Sequence, residues 1–471
     1  MKTYQDLLEV VNDEKKLKAF LITTISQYKA SKDYINASIA ENYDKQQNET
    51  IMTYRKLLYT MSGKAVPDNF SAQHKLASNF YNRFNVQENQ YLLGNGVNFD
   101  NDATKDKLGT GRYAFDTRLQ KLGKNALTHG VSYGFWNLDH IDTFTALEFC
   151  PLYDEEDGAI KAGVRFWQID ASKPLRVTFY ELDGYTEYIK RKDDPELVEL
   201  KPKRAYILKT KTTEADGTMI YDGQNYPGFP IVPLWGNQDH QCKITAWRSK
   251  IDAYDLISSG FCNDVDDASL IYWTINNAGG MDDIDLAQFL QHMKTVHAAT
   301  VDDDGAKAEA HTLDVPVEAR STYLKLLESD LIKDAMALDT DAIAQGNTVA
   351  TAIRAAYEPL NNKTDDYEYC VIEFIQEILA LAGLEDNPTF KRSTIINQTE
   401  ETTMVLSAAQ YLDNETILKH LPFISNDEIE NILDNTTREE ANRYTDGTED
   451  DTDDTDVEDN NDDGQGPENN R

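Results

Sequence analysis

The stretch Trp247–Ile275, WRSKIDAYDLISSGFCNDVDDASLIYWTI, sets the reading of the whole chain. Ile251, Tyr254, Ile257, Phe261, Val265, Ala268 and Ile271 recur every three or four residues, which puts one apolar stripe along a helix. The same period returns in TYLKLLESDLIKDAM (322–336), through Tyr323, Leu324, Leu327, Leu331, Ala335 and Met336. A third run starts near Thr348 and carries Val349, Ile353 and Ala356, then Val371, Phe374, Ile375, Ile378 and Leu379. Pro359 interrupts it, and a proline removes one helical hydrogen bond, so a kink or break is expected there. A striped helix has to bury its stripe, but the stripe does not say against what. An ordinary helical domain satisfies the pattern.

The chain has 471 residues, long enough for a substantial core and for more than one subdomain. Lys and Arg number 46 against 82 Asp and Glu, a net charge of −36. From Ala441 onward there are 12 acidic residues and 2 Arg, so the tail carries −10 and the body −26. So acidic a body lacks the cations whose counterion release drives phosphate binding, although it could enclose DNA without holding it. Cys150, Cys242, Cys262 and Cys370 are scattered, which makes neither a disulfide framework nor a zinc site and points to a reducing compartment. The first residues, MKTYQDLLEVVNDEKK, place charges where a signal peptide needs an apolar core, and no run reaches membrane-span length. The expectation is a soluble intracellular protein with no membrane partner.

Residues 1 to about 60 read as polar helices, with an apolar face of Leu7, Leu8, Val11, Leu17, Phe20, Leu21 and Ile25. A further helix is expected over 72–93, on Leu76, Phe80, Phe84, Val86 and Leu92, with a stop at Gly94-Asn95-Gly96, where glycine supplies a left-handed cap. LGNGV (93–97) and LGTGR (108–112) lack the ending of a nucleotide-binding loop and read as turns. A helix over 117–131 leads into a β-rich unit over 140–236, whose short aromatic and β-branched runs are separated by Asp-Gly and Pro-Gly turns. The aromatics read as core. Residues 390–433 carry small helical patches, and the acidic remainder has too few apolar residues to fold alone.

Catalytic signals are weak. There is no HExxH, GxSxG or CxxC, and His292 and His297 are not spaced as metalloprotease ligands. Asp282, Asp283 and Asp285, like Asp302, Asp303 and Asp304, resemble the acid clusters of two-metal nucleases, but such runs arise readily in so acidic a chain. No catalytic, cofactor or metal residue is assigned, and the chain is read as not an enzyme.

A set of phrases in fixed order carries more. They are YLLGNGV (91–97), KNALTHGVSYGFWNLD (124–139), PLYDEEDGAIKAGVRFW (151–167), FPIVPLWGN (229–237), the stretch from Ser249 to Ile275, GNTVATAIRAAYEPL and its continuation (346–384), and ETILKHLPFISNDEIENIL (415–433). Together they resemble the portal, or head-to-tail connector, proteins of long-tailed bacteriophages of Gram-positive hosts, over roughly residues 75–435. Where family members often show a Ser-Gly pair opening the third helix, this chain has Val349-Ala350.

The resemblance implies an α+β portal fold with an α/β wing, a long-helix stem, a small α/β clip and a helical crown, assembled as a dodecameric ring around a central channel. It divides the chain into N-terminal helices and β-rich wing (1–245), first stem helix (246–275), clip (276–316), second stem helix (317–337), channel loop (338–347), a long kinked wing helix (348–389), crown (390–440) and acidic tail (441–471). Asp339, Asp341, Ile343, Gln345, Gly346 and Asn347 would face the DNA. The implied partners are further copies of the chain, double-stranded DNA passing through, the terminase large subunit, a head-completion or neck adaptor, and the major capsid and scaffolding proteins. The place would be the capsid vertex, and the host cytoplasm during assembly. Two readings from other classes are a metal-dependent DNA-processing enzyme using the Asp clusters, and a capsid or scaffolding protein without a channel.

Overall fold

The computed structural model describes residues 2–59, 63–68, 71–101, 103–213, 219–268, 272–276, 307–311, 315–340, 350–393, 398–421, 424, 429, 432–436 and 438. They belong to two units, one of Met1–Gly346 with Arg354–Thr394 and one of Asn347–Ile353 with Ile395–Arg471. The two Asp clusters, His292, His297 and the acidic tail lie outside the described residues.

The N-terminal helices begin where the sequence supplies caps. Thr3 and Asp6 make a reciprocal capping box for α1 (Tyr4–Leu8), Asp13 accepts the Lys15 and Lys16 N–H groups ahead of α2 (Glu14–Lys29), and Ser31 accepts from Tyr34 at the start of α3 (Lys32–Asp44). A short α4 (Glu49–Thr53) precedes the hairpin of β1 (Leu57–Tyr59) and β2 (Ala65–Pro67). The helix expected over 72–93 forms only from Phe80, as α5 (Phe80–Leu93), and residues 72–79 form no regular element. Gly94 is right-handed; the left-handed residue is Gly96, at φ +75°, because the turn closes from Gly96 N–H to the Leu93 carbonyl.

After β3 (Val97–Phe99) and α6 (Ala103–Leu108), α7 (Phe115–His129) ends at Gly130. Strands follow as β4 (Val131–Asn137), β5 (His140–Thr145), β6 (Phe149–Tyr153), β7 (Ile160–Trp167), β8 (Leu175–Glu181), β9 (Gly184–Lys190), β10 (Val198–Arg204), β11 (Ile207–Thr213), β12 (Met219–Gln224) and β13 (Ile231–Trp235). Among the described residues every strand pairing is antiparallel. Strands β6 to β10 make a five-stranded sheet in sequence order, β4 sits between β13 and β5 in a three-stranded sheet, and β11 pairs with β12.

The remainder is mainly helical. α8 (Ile244–Ala268) is followed by β14 (Tyr272–Asn276), which pairs with β15 (Lys307–His311), and then come α9 (Val317–Asp334) and α10 (Ala350–Ala382). The first helix was expected to reach residue 275, but YWTIN is extended, as its β-branched and aromatic residues favour. Val296, Val301, Leu313 and Val315 are the residues whose types suit short strands in the clip; only Val315 is described, and it is not in a strand. Pro359 does not break α10. It and Ala355, whose carbonyl loses its helical partner, are both exposed, so the lost bond leaves no carbonyl on a buried residue unpaired. β16 (Pro388–Phe390) returns to pair with β3. In the smaller unit, α11 (Gln398–Ala408) precedes α12 (Asn414–His420), which Asp413 caps.

Period-two alternation divides the five-stranded sheet between two cores. Val164, Phe166, Val177, Phe179 and Tyr188 face Leu17, Phe20, Leu21 and Ile25 of α2. Phe149, Tyr180 and Tyr185 face Tyr133 and Phe144 of the three-stranded sheet, so the aromatic texture is core, as expected. The opposite side of that smaller sheet packs with α5 and α7 against Tyr367, Val371, Phe374 and Ile378 of α10. Burying a side chain such as Phe374 contributes roughly 1.5–3 kcal/mol.

The approach of α10 to β4 depends on Gly134, because a Cβ there would lie 2.6 Å from the Phe374 ring. Gly134→Ala is expected to cost about 1–3 kcal/mol by overpacking. The check is a lower denaturation midpoint in urea with an unchanged slope.

Candidate channel element

The helices α8 and α9 form an antiparallel hairpin. Lys250 near the start of α8 meets Asp334 near the end of α9 at 2.5 Å, and Arg320 near the start of α9 pairs with Asp264 near the end of α8. The β14–β15 pair continues the hairpin beyond the helices. The two helices carry nine acidic and five basic side chains.

The stripe that α8 buries differs from the one its apolar residues predict. Trp247, Ile251, Asp255, Ser259 and Asn263 are buried, one per four residues. Ile257 and Phe261 are half-buried, and Val265 is 50 % exposed. The upper part of this stripe is apolar, where Trp247 and Ile251 join Phe80, Tyr81, Phe84, Leu331 and Ala335.

The lower part is polar, and the segment 72–79 lies along it. Asp255 Oδ1 accepts the Ser78 N–H at 2.8 Å, Ser259 Oγ accepts the Leu76 N–H at 2.9 Å, and Asn263 Oδ1 accepts the His74 N–H at 2.6 Å. Two of these bonds compete with helix formation over 72–79, since an α-helix starting at Ala72 would need the Leu76 and Ser78 N–H groups that Ser259 and Asp255 hold. Burial raises the pKa of Asp255, and hydrogen bonds from Asn48 and Ser78 oppose the shift. Beside it, Asp252 accepts from the hydroxyls of Tyr43 and Thr50.

A second anchor holds α8 to the main core. Glu88 of α5 is fully buried between Lys243, at 2.6 Å, and Lys363 of α10, also at 2.6 Å. The Lys363 ammonium lies 5.1 Å from the centroid of the Trp247 ring. Two cations and one anion leave a buried excess of positive charge. Burial pushes the Lys363 pKa down to about 8, against the pull of Glu88.

The exit from α9 is also fixed. Met336 takes a left-handed conformation, φ +48°, and the Ala337 N–H reaches back to the Ile332 carbonyl, a helix ending usually built with glycine. Leu338 then exchanges two hydrogen bonds with Gln87 of α5, at 3.0 and 3.3 Å. One turn further along α5, Tyr91 stacks on Tyr357 of α10 and donates to Asn361 at 2.6 Å. Of the residues expected to face DNA, only Asp339 is described, half-buried next to the clamped Leu338. Asp341, Ile343, Gln345, Gly346 and Asn347 lie outside the described residues.

The anchoring residues were not picked out in the sequence. Asp255, Ser259 and Asn263 do carry a signal, a spacing of four within an otherwise apolar helix. Glu88, Lys243 and Lys363 carry none, because their proximity is wholly tertiary. Among the described residues there is no group of three or more His, Cys, Asp or Glu placed to hold a metal, and no helix long and apolar enough to cross a membrane.

Comparison with known proteins places this architecture. Residues 14–442 match the family model described as phage portal protein, SPP1 Gp6-like. The portal protein of Bacillus phage SPP1 is 22 % identical over 422 residues, 83 % of this chain and 80 % of that protein. The portal protein of Clostridium phage phiCD119 is 25 % identical over 205 residues, 41 % of this chain, so the match spans 45 % of that relative's length. Neck structures of gene transfer agent particles align with a TM-score of 0.43: a native particle computed with C12 symmetry at 11 % identity, covering 74 % of this chain and 90 % of theirs, and an empty one computed with C6 symmetry at 13 %, covering 72 % and 88 %. The chain belongs to the phage portal protein family, whose members are structural components of the virion.

The buried Lys363 predicts an alkaline signature. The unfolded chain keeps this proton to about pH 10.4, whereas the native state releases it above about pH 8. Between those limits the unfolded state binds more protons, so this group makes stability rise with pH. Lys363→Met leaves a one-to-one Glu88–Lys243 pair, and its stability difference from the parent should shift in the parent's favour above pH 8. Urea midpoints measured from pH 7 to pH 10 check this, and a pH-independent difference counts against it.

Proposed function

We propose that this chain is the subunit of a closed ring of twelve copies at one capsid vertex. The ring is the channel through which double-stranded DNA is packaged and later ejected. The observation that carries this reading is the portal family match over residues 14–442. The long α8–α9 hairpin supports it. Val265, Val317, Tyr323 and Leu326 are about half-exposed in the single chain, a surface suited to side-by-side packing of copies.

In this reading α8 and α9 are the stem, the chain between them carries the clip, and the clip docks first the terminase large subunit and then a neck adaptor. The major capsid and scaffolding proteins would meet the wing and crown. The role is structural, with no catalytic step. The net acidity of the hairpin would keep DNA centred by like-charge repulsion, acting over a Debye length of about 8 Å at physiological salt. DNA carries one charge per about 1.7 Å of axis, and a cationic wall would grip it.

Two measurements test the proposal. Purified protein should sediment as a ring of about a dozen copies and show a central hole in negative stain, with assembly favoured by salt that screens the −36 per subunit. A chain that stays monomeric at high concentration in every salt overturns it.

The segment 338–347 is proposed as the narrowest point of the channel, touching DNA without holding it. Asp339→Lys with Asp341→Lys would add about two dozen positive charges around the DNA. Rings should still form, DNA retention should become strong and steeply salt-dependent, and packaging should slow. Normal packaging with no new salt-dependent DNA binding would place these residues away from the channel.

A further inference from the structure

The five-stranded sheet is longer than the three-stranded sheet that covers it. On their shared side, the row of Gly163, Tyr180 and Tyr185 lies under the aromatic core. The next row, Phe149, Arg165, Thr178, Glu187 and Lys201, is closed by pairing, Arg165 with Glu148 at 3.6 Å and Lys201 with Glu187 at 3.0 Å. The row beyond holds Trp167, Arg176, Ile189 and Val198. Ile189 is buried there, Trp167 and Arg176 are half-buried with the Arg165 guanidinium 4.8 Å from the Trp167 ring centroid, and Val198 and the following Ile169 are exposed, Ile169 to 88 %. The Arg176 guanidinium has no acidic partner among the described residues. This overhang is an apolar shelf with one open cation.

A complementary surface lies on α10. Asp366, Tyr369, Glu373 and Glu377 are spaced by three and four, which puts them on one face of the helix. Tyr369 is 63 % exposed. None of the three carboxylates has a cation partner among the described residues, and Asp366 accepts only the Gln238 N–H, at 3.3 Å. Partial burial, and then the charge of Glu373, push the Glu377 pKa up, so this face gains from a nearby cation.

We infer that these surfaces meet between neighbouring copies, the acidic face of α10 in one subunit docking on the sheet overhang of the next. Tyr369 covers the Trp167–Val198 shelf, and Arg176 lies between Asp366 and Glu373. The contact joins two different patches, as a closing ring requires. Its centre would be an arginine and an aromatic, the residue types that carry most energy at interfaces. It also supplies a local attraction between subunits that otherwise repel. The inference rests on the ring reading above and specifies one contact within it.

The test is reciprocal charge reversal, read as ring fraction by sedimentation at low salt. Arg176→Glu and Glu373→Arg should each reduce the apparent association constant about tenfold or more, equivalent to about 1.4 kcal/mol. The double variant should recover most of the loss. Circular dichroism of each variant checks that the subunit is folded. In a Cys262→Ser background, Val198→Cys combined with Tyr369→Cys should give a ladder of covalently joined subunits on oxidation, and neither cysteine alone should. Single reversals that assemble as the parent does, a double variant no better than the singles, or parent-like rings without the ladder overturn the contact while leaving the ring intact. A parent chain that forms no ring removes the ring reading and this contact with it.

Discussion

A buried carboxylate with two ammonium neighbours ties the larger unit together. Glu88 lies on α5, Lys243 just before α8, and Lys363 on α10, so one cluster joins three elements far apart in sequence. Removing the anion would strand two buried cations, and breaking a buried pair typically costs about 3–5 kcal/mol. The cluster is a poor source of net stability, because all three groups are desolvated. Its strength is geometric. Helices joined only by an apolar face can slide, and a charge that tolerates no solvent-free misplacement fixes their register.

That fixed register places the hairpin. Trp247 packs with Tyr81 and Phe84 of α5 and lies against the Lys363 ammonium, so the start of α8 is set by both apolar and charged contacts. Farther along, polar side chains continue the anchorage to the chain before α5. One side of α8 is thereby committed within the subunit. Half-exposed residues such as Ile257 and Phe261 remain on its other sides for contacts beyond the single chain.

Much of this architecture was legible in the sequence. The period of Val371, Phe374 and Ile378 gave a helix whose buried face is the one observed, and in the run 322–336 Leu327, Leu331 and Ala335 are buried as expected while Tyr323 and Met336 are exposed. The aromatic runs over 140–236 gave antiparallel strands with an aromatic core, while the strand Val131–Asn137 begins where the helix over 117–131 was expected to end. The failures share a cause. The helix expected from Ala72 competes with Ser259 and Asp255, which hold the Leu76 and Ser78 N–H groups from nearly two hundred positions away, and no local pattern reveals that competition. In the same way, Val265 matched the stripe of α8 yet is exposed, because three polar residues occupy the buried side. Tertiary partners overrode propensity at both places.

The match between α8 and the segment 72–79 has a consequence for substitution. Four residues of helix rise about 6 Å, and two residues of extended chain span about 6.6 Å, so helix side chains at every fourth position can meet every second N–H. At residues 74, 76 and 78 α8 therefore holds the main-chain N–H groups. The Leu76 side chain is exposed and adds nothing polar to the contact, whereas the His74 imidazole also lies 3.4 Å from Asp266 of α8. The one residue excluded is proline, which has no N–H to give. Substitution by other residues at position 76 should therefore leave the path of the segment unchanged, because Ser259 holds the N–H and not the side chain.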